Sequence, residues 1–400
     1  MRLTHRLLVC VLAASLAGCT EQSLPEFKNP QPISVPSGKP AYGPRLSQGG
    51  GDKLVLSWME PKDDVGLLRY SVLDQGTWQP AVTAVQDQDM FVNWADLPAV
   101  TPLETGALLA HWLSYVANSP YAYQILTAIS IDAGSTWSIP VSPHTDGTAT
   151  EHGFLSAYPA GDGTGLIWLD GRETPDKGMT LRGAVLDAEG GLSNESLLDD
   201  LVCDCCQTDV AVTDAGPIAV YRNRTDDEVR DIYVSRYLDG TWQPGTPVSD
   251  DGWEISGCPV NGPSIAANGD RIAVAWFTAA NGNPMVKAAF SKNAGKSFSK
   301  PVEIASKGTS GHVGVSLIDK HTYVVSWMES DENGSYEINL RGRTVDGQMG
   351  RVQTVGRTSV ARTVPQMKLV GDKLILAWTD VMSDESKVVS VKVPILGFYD

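Results

Sequence analysis

The chain has 400 residues, with 31 Lys and Arg against 47 Asp and Glu, a formal charge of −16 and 42% hydrophobic residues. An acidic surface with no basic cluster interleaved with aromatics repels phosphate backbones, which excludes nucleic acid as a partner. Past the N-terminal segment no stretch is long and apolar enough for a membrane-crossing helix, and a chain of this length implies two or three domains unless it repeats.

The N-terminus carries Arg2 and Arg6, then the apolar run from Leu7 to Ala14, then Leu16-Ala17-Gly18-Cys19. That order of charged, apolar and small residues reads as a secretory signal. The small residues directly before Cys19 resemble the lipobox of bacterial lipoproteins. The resemblance implies a signal peptide over residues 1–18, diacylglycerol on Cys19 and, with two or more acyl chains, stable anchoring. Thr20 after the cysteine points by the same resemblance to the outer membrane of the cell envelope. Residues 19–30 read as a lipidated tether and residues 31–400 as one folded body.

Along that body a short apolar run ending in an aromatic recurs: Leu54 to Trp58, Leu108 to Trp112, Gly165 to Trp168, Ile218 to Tyr221, Ile272 to Trp276, Tyr323 to Trp327 and Leu374 to Trp378. The aromatics follow one another at intervals of 54, 56, 53, 55, 51 and 51 residues. A period near fifty, filled with short β runs and Gly, Asp and Asn turns, predicts one four-stranded antiparallel blade per repeat and an all-β, seven-bladed β-propeller. The last repeat supplies only three strands before the chain stops. Gln31 to Gly38 resembles the outer strand of the fifth repeat, Lys300 to Gly308, so residues 31–37 are expected to complete the seventh blade and close the ring.

A second recurring feature is the turn Ser130-Ile131-Asp132-Ala133-Gly134-Ser135-Thr136-Trp137, with a weaker copy from Ser291 to Phe298 and shorter relatives at Asp74 to Trp78 and Asp239 to Trp242. Asp or Asn there accepts from nearby backbone N–H groups and Gly takes positive φ, so the pattern is read as turn chemistry rather than catalysis.

In such a blade the starts of inner strands and the ends of second strands share one face. Reading the starts in order gives Arg45, Asn93, His152, Cys203 to Cys206, Cys258, His312 and Arg362; the ends add Glu60, Asp170 to Arg172, Arg222 to Arg224, Glu329 and Asp380. Polar groups converging on a central concavity make that face the default site. Arg45, Arg172, Arg222 and Arg362, with His152 and His312, are the candidate ligand contacts, since guanidinium forks suit carboxylate, sulfate or phosphate. Pairing of each arginine with a neighbouring acid such as Asp170 or Asp231 is the competing structural reading. His111, inside an apolar strand, reads as a core or inter-blade histidine.

Without Cys10 and Cys19, four cysteines remain. In an oxidising compartment they read as disulfides, most simply Cys258 with Cys205 or Cys206, and Cys203 with the other. The alternative is a thiolate site for copper or zinc, with Cys203, Cys205 or Cys206, and Cys258 joined by His152 or His312.

The Ser-x-Asp-x-Gly-x-Thr-Trp turns and the blade pattern over residues 31–400 resemble the Asp-box sialidase superfamily. The stretches Trp168 to Arg172, Cys203 to Thr208 and Gly257 to Gly262 resemble bacterial lipoproteins labelled exo-α-sialidase-like. The resemblance implies, for an enzyme, an arginine trio holding a carboxylate; Arg45, in Pro44-Arg45-Leu46-Ser47, is the match for the first, though Phe and Pro of the family motif are missing. Three calls follow. The leading one is a lipoprotein propeller that binds an anionic glycan or small ligand, or another envelope protein, on its axial face without a cofactor. The second is an exo-α-sialidase-type glycoside hydrolase in which Arg45, Arg222 and Arg362 hold the carboxylate, Asp170, Glu60 or Asp204 donates a proton, and Tyr221 is the candidate hydroxyl nucleophile. The third is a Cys/His metal-binding propeller.

Overall fold

A β strand whose aromatic is buried on one face must find a neighbouring sheet to cover it, and seven such strands in one chain find each other. In the computed structural model, which describes residues 24–396 apart from 50–52, 162, 175, 188–189, 194 and 383–384, the chain is all β with a single short 3-10 turn. The expected signal peptide, the lipidation site Cys19 and the first part of the tether lie outside the described residues. No described helix is long and apolar enough to cross a membrane.

Seven antiparallel sheets follow in chain order. The inner strands are Tyr42–Gln48, Ala99–Pro102, His152–Ala160, Asp209–Thr213, Ser264–Asn268, Thr309–Leu317 and Gln366–Val370, and apart from those of blades two and three the inner strands of consecutive blades lie against each other around the axis. The second strands carry the repeated aromatics: Leu54–Lys62, Leu108–Tyr115, Gly163–Asp170, Gly216–Arg222, Arg271–Thr278, Thr322–Ser330 and Lys373–Met382. Blade two is the least regular, its outer edge being a single bridge in which Thr127 and Val141 exchange N–H···O bonds of 2.8 and 2.9 Å.

The ring closes through its N-terminus. Gln31, Pro32 and Ile33 pair with Lys392, Val391 and Ser390 of the last strand, Glu385–Leu396, as the repeat count requires. The zipper also starts earlier than expected, because Glu26 and Phe27 pair with Leu396 and Ile395. The closing segment therefore takes in residues assigned by sequence to the tether.

The core is a set of wedges between blades. Val324, Met328 and Leu340 of blade six pack against Leu374, Leu376 and Trp378 of blade seven. Ile375, Ala377 and Val388 of blade seven pack against Leu54, Leu56 and Trp58 of blade one, with Ile33 filling the seam. Equivalent apolar clusters join the other consecutive blades. Each wedge removes aliphatic side chains from water at about 1.5–3 kcal/mol apiece, so stability is spread around the ring.

Candidate functional site

The buried aromatics decide the fate of most candidate acids. An indole N–H inside a core needs an acceptor. Trp58 donates to Glu60 Oε1 at 2.6 Å, Trp168 to Asp170 Oδ2 at 2.8 Å and Trp327 to Glu329 Oε2 at 3.1 Å, each acid lying two residues on along the same strand. Trp112 uses Asp87, Trp276 uses Asp251, and the Tyr221 hydroxyl donates to Asp199 Oδ2 at 2.6 Å. Glu60 also accepts from the Gly38 N–H and the Arg69 guanidinium. Glu60, Asp170 and Tyr221, read from sequence as catalytic candidates, are thus engaged in structural hydrogen bonds, Tyr221 with an acid of the preceding blade.

The arginines divide likewise. Arg222 is buried, and its guanidinium donates to the carbonyls of Asn261, Arg230 and Phe277 at 2.6 to 3.1 Å while stacking 4.8 Å from the Trp253 ring centroid. Arg172 grips Asp170 with Nε and Nη2 at 2.7 and 2.6 Å and reaches Glu195 at 2.9 Å. Arg172 thus pairs with acids, as the competing reading of the sequence had it, whereas Arg222 is held by backbone carbonyls and not by an acid. Arg362 is exposed and does not line the axial cavity. Asp204 pairs with Arg224 and Arg230.

Arg45 stands apart. It lines a central cavity of about 330 Å³ bordered by inner-strand residues of all seven blades, among them Ser47, Thr101, Ser156, Asp209, Ser264, His312 and Gln366. Burial lowers its pKa, with the charges of Asp209 and Asp96 pulling the other way. His312 borders the same cavity, is held at φ 51° with its N–H on Asn261 Oδ1 at 2.7 Å, and leaves Nδ1 without a partner. His111 borders it too, and neither ring nitrogen makes a well-formed hydrogen bond. Burial brings His312 to about 4; burial and then the Arg45 charge bring His111 to about 3 against a weaker pull from the Leu97 backbone. Both rings are therefore neutral near pH 7, and a guanidinium and two imidazoles with unpartnered nitrogens border one cavity. Of the sequence-predicted contacts, the cavity brings together Arg45 and His312, and adds His111.

Asp96 was not legible as a site residue. It sits buried before the inner strand of blade two, accepts from the Phe154 N–H at 2.8 Å, and is raised to about 7, mostly by burial and by the Glu151 charge, against the Phe154 bond and Arg45.

His152 belongs to another group. Its Nε2 lies 3.3 Å from Asp146 Oδ1 and 3.5 Å from Asp170 Oδ1, and its ring stacks on His144 with centroids 3.7 Å apart and planes at 3°. Burial opposes charge on His152, but Asp170 and Asp146 outweigh it and raise the pKa. His144 is lowered to about 4 by burial and then by His152, and Asp146 reaches about 2 despite burial, through Thr148 and the neighbouring cations. Two imidazoles in parallel planes that far apart do not both aim an in-plane lone pair at one ion. The group works as a buried ion network holding the loop before blade three. A His-x-Asp pair at His144 and Asp146, next to Thr148 and Thr150, was its one sequence signal.

Cys205 and Cys258 form a disulfide joining the entry loops of blades four and five, one of the pairings expected. Cys203 and Cys206, the second pair expected to be bridged, are instead free thiols, buried with sulfurs 3.2 Å apart. The bridge takes Cys205 and Cys258 out of the thiolate set read from sequence, and His152 lies against Asp146 and Asp170.

No protein-family model matches the chain, and no curated protein does. Solved structures do. A protein of unknown function from Dyadobacter fermentans DSM 18053 superposes with a TM-score of 0.53 at 14% identity, covering 93% of this chain and 99% of its own. The polysaccharide lyase Uly1 superposes with a TM-score of 0.53 at 9% identity, over 96% of this chain and 94% of that one. The Hadza microbial sialidase Hz136 gives 0.42 at 16% identity, over 72% and 63%. The first two likenesses are of fold alone, and the chain is a seven-bladed β-propeller.

Proposed function

We propose that the protein is an envelope lipoprotein, anchored through Cys19, whose propeller binds an acidic saccharide in the axial cavity. The observation that carries this reading is the Arg45 guanidinium, which forms no salt bridge among the described residues and lines a space shared with His111, whose two ring nitrogens are unpartnered, and with His312, whose Nδ1 is unpartnered. A carboxylate matches the guanidinium fork, and ring hydroxyls match neutral imidazole nitrogens and the Ser and Thr groups of the wall. The fold shared with the polysaccharide lyase Uly1 supports a saccharide as the class. The test is calorimetric titration of the full chain in detergent with a glucuronate-containing disaccharide and its neutral glucose counterpart. The acidic sugar is expected to bind, the neutral one at least tenfold more weakly, and Arg45→Gln to weaken the acidic sugar by roughly 10–100-fold, the worth of a charge-assisted pair. Equal binding of both sugars, or an Arg45→Gln chain that binds like the parent, rejects the reading.

A glycoside-acting version draws on one observation, the Asp96 carboxyl titrating near 7 within the field of Arg45. Such a group is protonated often enough at neutral pH to serve as an acid. Release of fluorophore from a sialoside or uronide, lost in Asp96→Asn, is the expected result. No release between about pH 4 and 8, the range over which carboxyl and imidazole groups are tuned, retires it.

A further inference from the structure

Four sulfurs gather where the entry loops of blades four and five meet. The Cys205–Cys258 bridge is at the surface, with Cys258 exposed and Cys205 half-buried, whereas Cys203 and Cys206 are each 1% exposed. The sulfurs of Cys203, Cys205 and Cys206 all lie within 4.8 Å of one another. A dithiol is therefore placed beneath a disulfide at near-contact range. Its two members differ. Arg230 Nη1 donates to Cys203 Sγ at 3.4 Å, and Arg222 adds a second positive charge. The Cys206 thiol and then these cations bring Cys203 to about 6, whereas burial raises Cys206. One sulfur suits a nucleophile and the other a resolving thiol, which is the division that thiol–disulfide exchange needs.

We propose that Cys203, Cys205, Cys206 and Cys258 form an exchange centre, in which Cys203 moves one disulfide between the surface pair and the buried pair. In the first step the Cys203 thiolate attacks Cys205 Sγ. The Cys203–Cys205 bond forms as Cys205–Cys258 breaks, and Cys258 leaves as a thiolate that takes a proton from water. In the second, Cys206 gives its proton to solvent and attacks Cys203 Sγ, and Cys205 leaves and is protonated. One disulfide and two thiols remain throughout, so no outside oxidant enters. The outcome presents a dithiol at the surface. A disulfide-bonded partner docking there would be reduced to two thiols with the electrons of the buried pair, leaving the protein with both bridges.

The Cys206→Ser full chain in detergent isolates the first step, since it keeps three cysteines of the centre, one bridge and one thiol. It is incubated under native conditions with a bulky maleimide and its peptides are mapped after an acid quench. Exchange predicts label on Cys258 together with a Cys203–Cys205 bridged peptide, and at least tenfold slower labelling of Cys258 in Cys203→Ser. In the unsubstituted chain, set to one bridge by limiting phosphine reductant, labelled Cys258 should accompany a Cys203–Cys206 bridge. Label on Cys203 with Cys205–Cys258 intact would mean that the loops open without exchange, and it overturns the proposal. So does the absence of label on Cys258. Cys206→Ala replaces the serine variant if thermal unfolding shows the latter misfolded.

Discussion

A guanidinium carried into a protein interior costs several kcal/mol unless its N–H groups find acceptors. Arg222 finds three carbonyls from three segments, and so ties blade four to the entry of blade five. Arg45 has no such set, which is why it, and not Arg222, remains for a ligand. Sequence placed both near one mouth but carried no sign of which would meet carbonyls, because those acceptors come from loops distant along the chain. The same holds for Glu60 and Asp170, whose spacing from Trp58 and Trp168 looked like chemistry at a strand end and is an indole acceptor. Histidines at the cavity have a measurable signature. The folded pKa of His111, about 3, lies below the ordinary value of 6.5. Between these values the unfolded chain binds a proton that the folded one refuses, so stability falls as pH falls through that window. His111→Asn is expected to flatten the pH dependence of urea unfolding by about 1.4 kcal/mol per unit between roughly pH 4 and 6. An unchanged slope would show that His111 does not titrate this way.

The turn from Ser130 to Trp137 shows how a local motif becomes a contact between blades. Asp132 accepts from the Thr136 N–H and hydroxyl at 2.8 and 2.7 Å, Ser130 Oγ donates to Asp132, and the Gly134 N–H donates to Ser130 Oγ at 2.8 Å. The copy at Ser291 repeats the backbone N–H and Ser hydroxyl bonds through Asn293 and Gly295, and reverses the remaining one, the Asn293 amide donating to Ser297 Oγ. Gly134 has φ 89°, and a Cβ there would lie 1.9 Å from the Tyr70 hydroxyl of blade one. Gly295, at φ 74°, would meet Ile218 of blade four at 2.3 Å. Gly134→Ala should therefore cost more than the roughly 1–2 kcal/mol of left-handed backbone alone, because Tyr70 must also move. Chemical denaturation checks this, and a loss under about 1 kcal/mol would mean the turn yields freely. These turns and the seven aromatic strands were legible because each repeats with its own residue types. The strand at Glu26 and Phe27 was not, since two residues carry no period. The His144, Asp146 and Asp96 positions also escaped, because loop residues gain their meaning only from the blades that enclose them.

A ring of wedges has no natural end, so its stability depends on the last wedge as much as on any other. Here that wedge is made by the segment around Gln31–Ile33, with Ile33 buried between blades seven and one among Leu46, Trp58, Ala377 and Val388. Before this segment docks, the strand Glu385–Leu396 carries a long unpaired edge, the kind of edge that recruits another chain. Placing a carboxylate at the seam removes an aliphatic group and buries an unpaired charge, so Ile33→Asp should displace the segment instead of being accommodated. The expected outcome is a thermal midpoint lowered in line with a loss of about 3 kcal/mol or more, with concentration-dependent association in light scattering. Gln31→Ala, at an exposed position of the same strand, should leave both readouts near those of the parent. If Ile33→Asp stays monomeric with an unchanged midpoint, the seam is not what holds the circle shut, and the axial cavity would owe its shape to the inner strands alone.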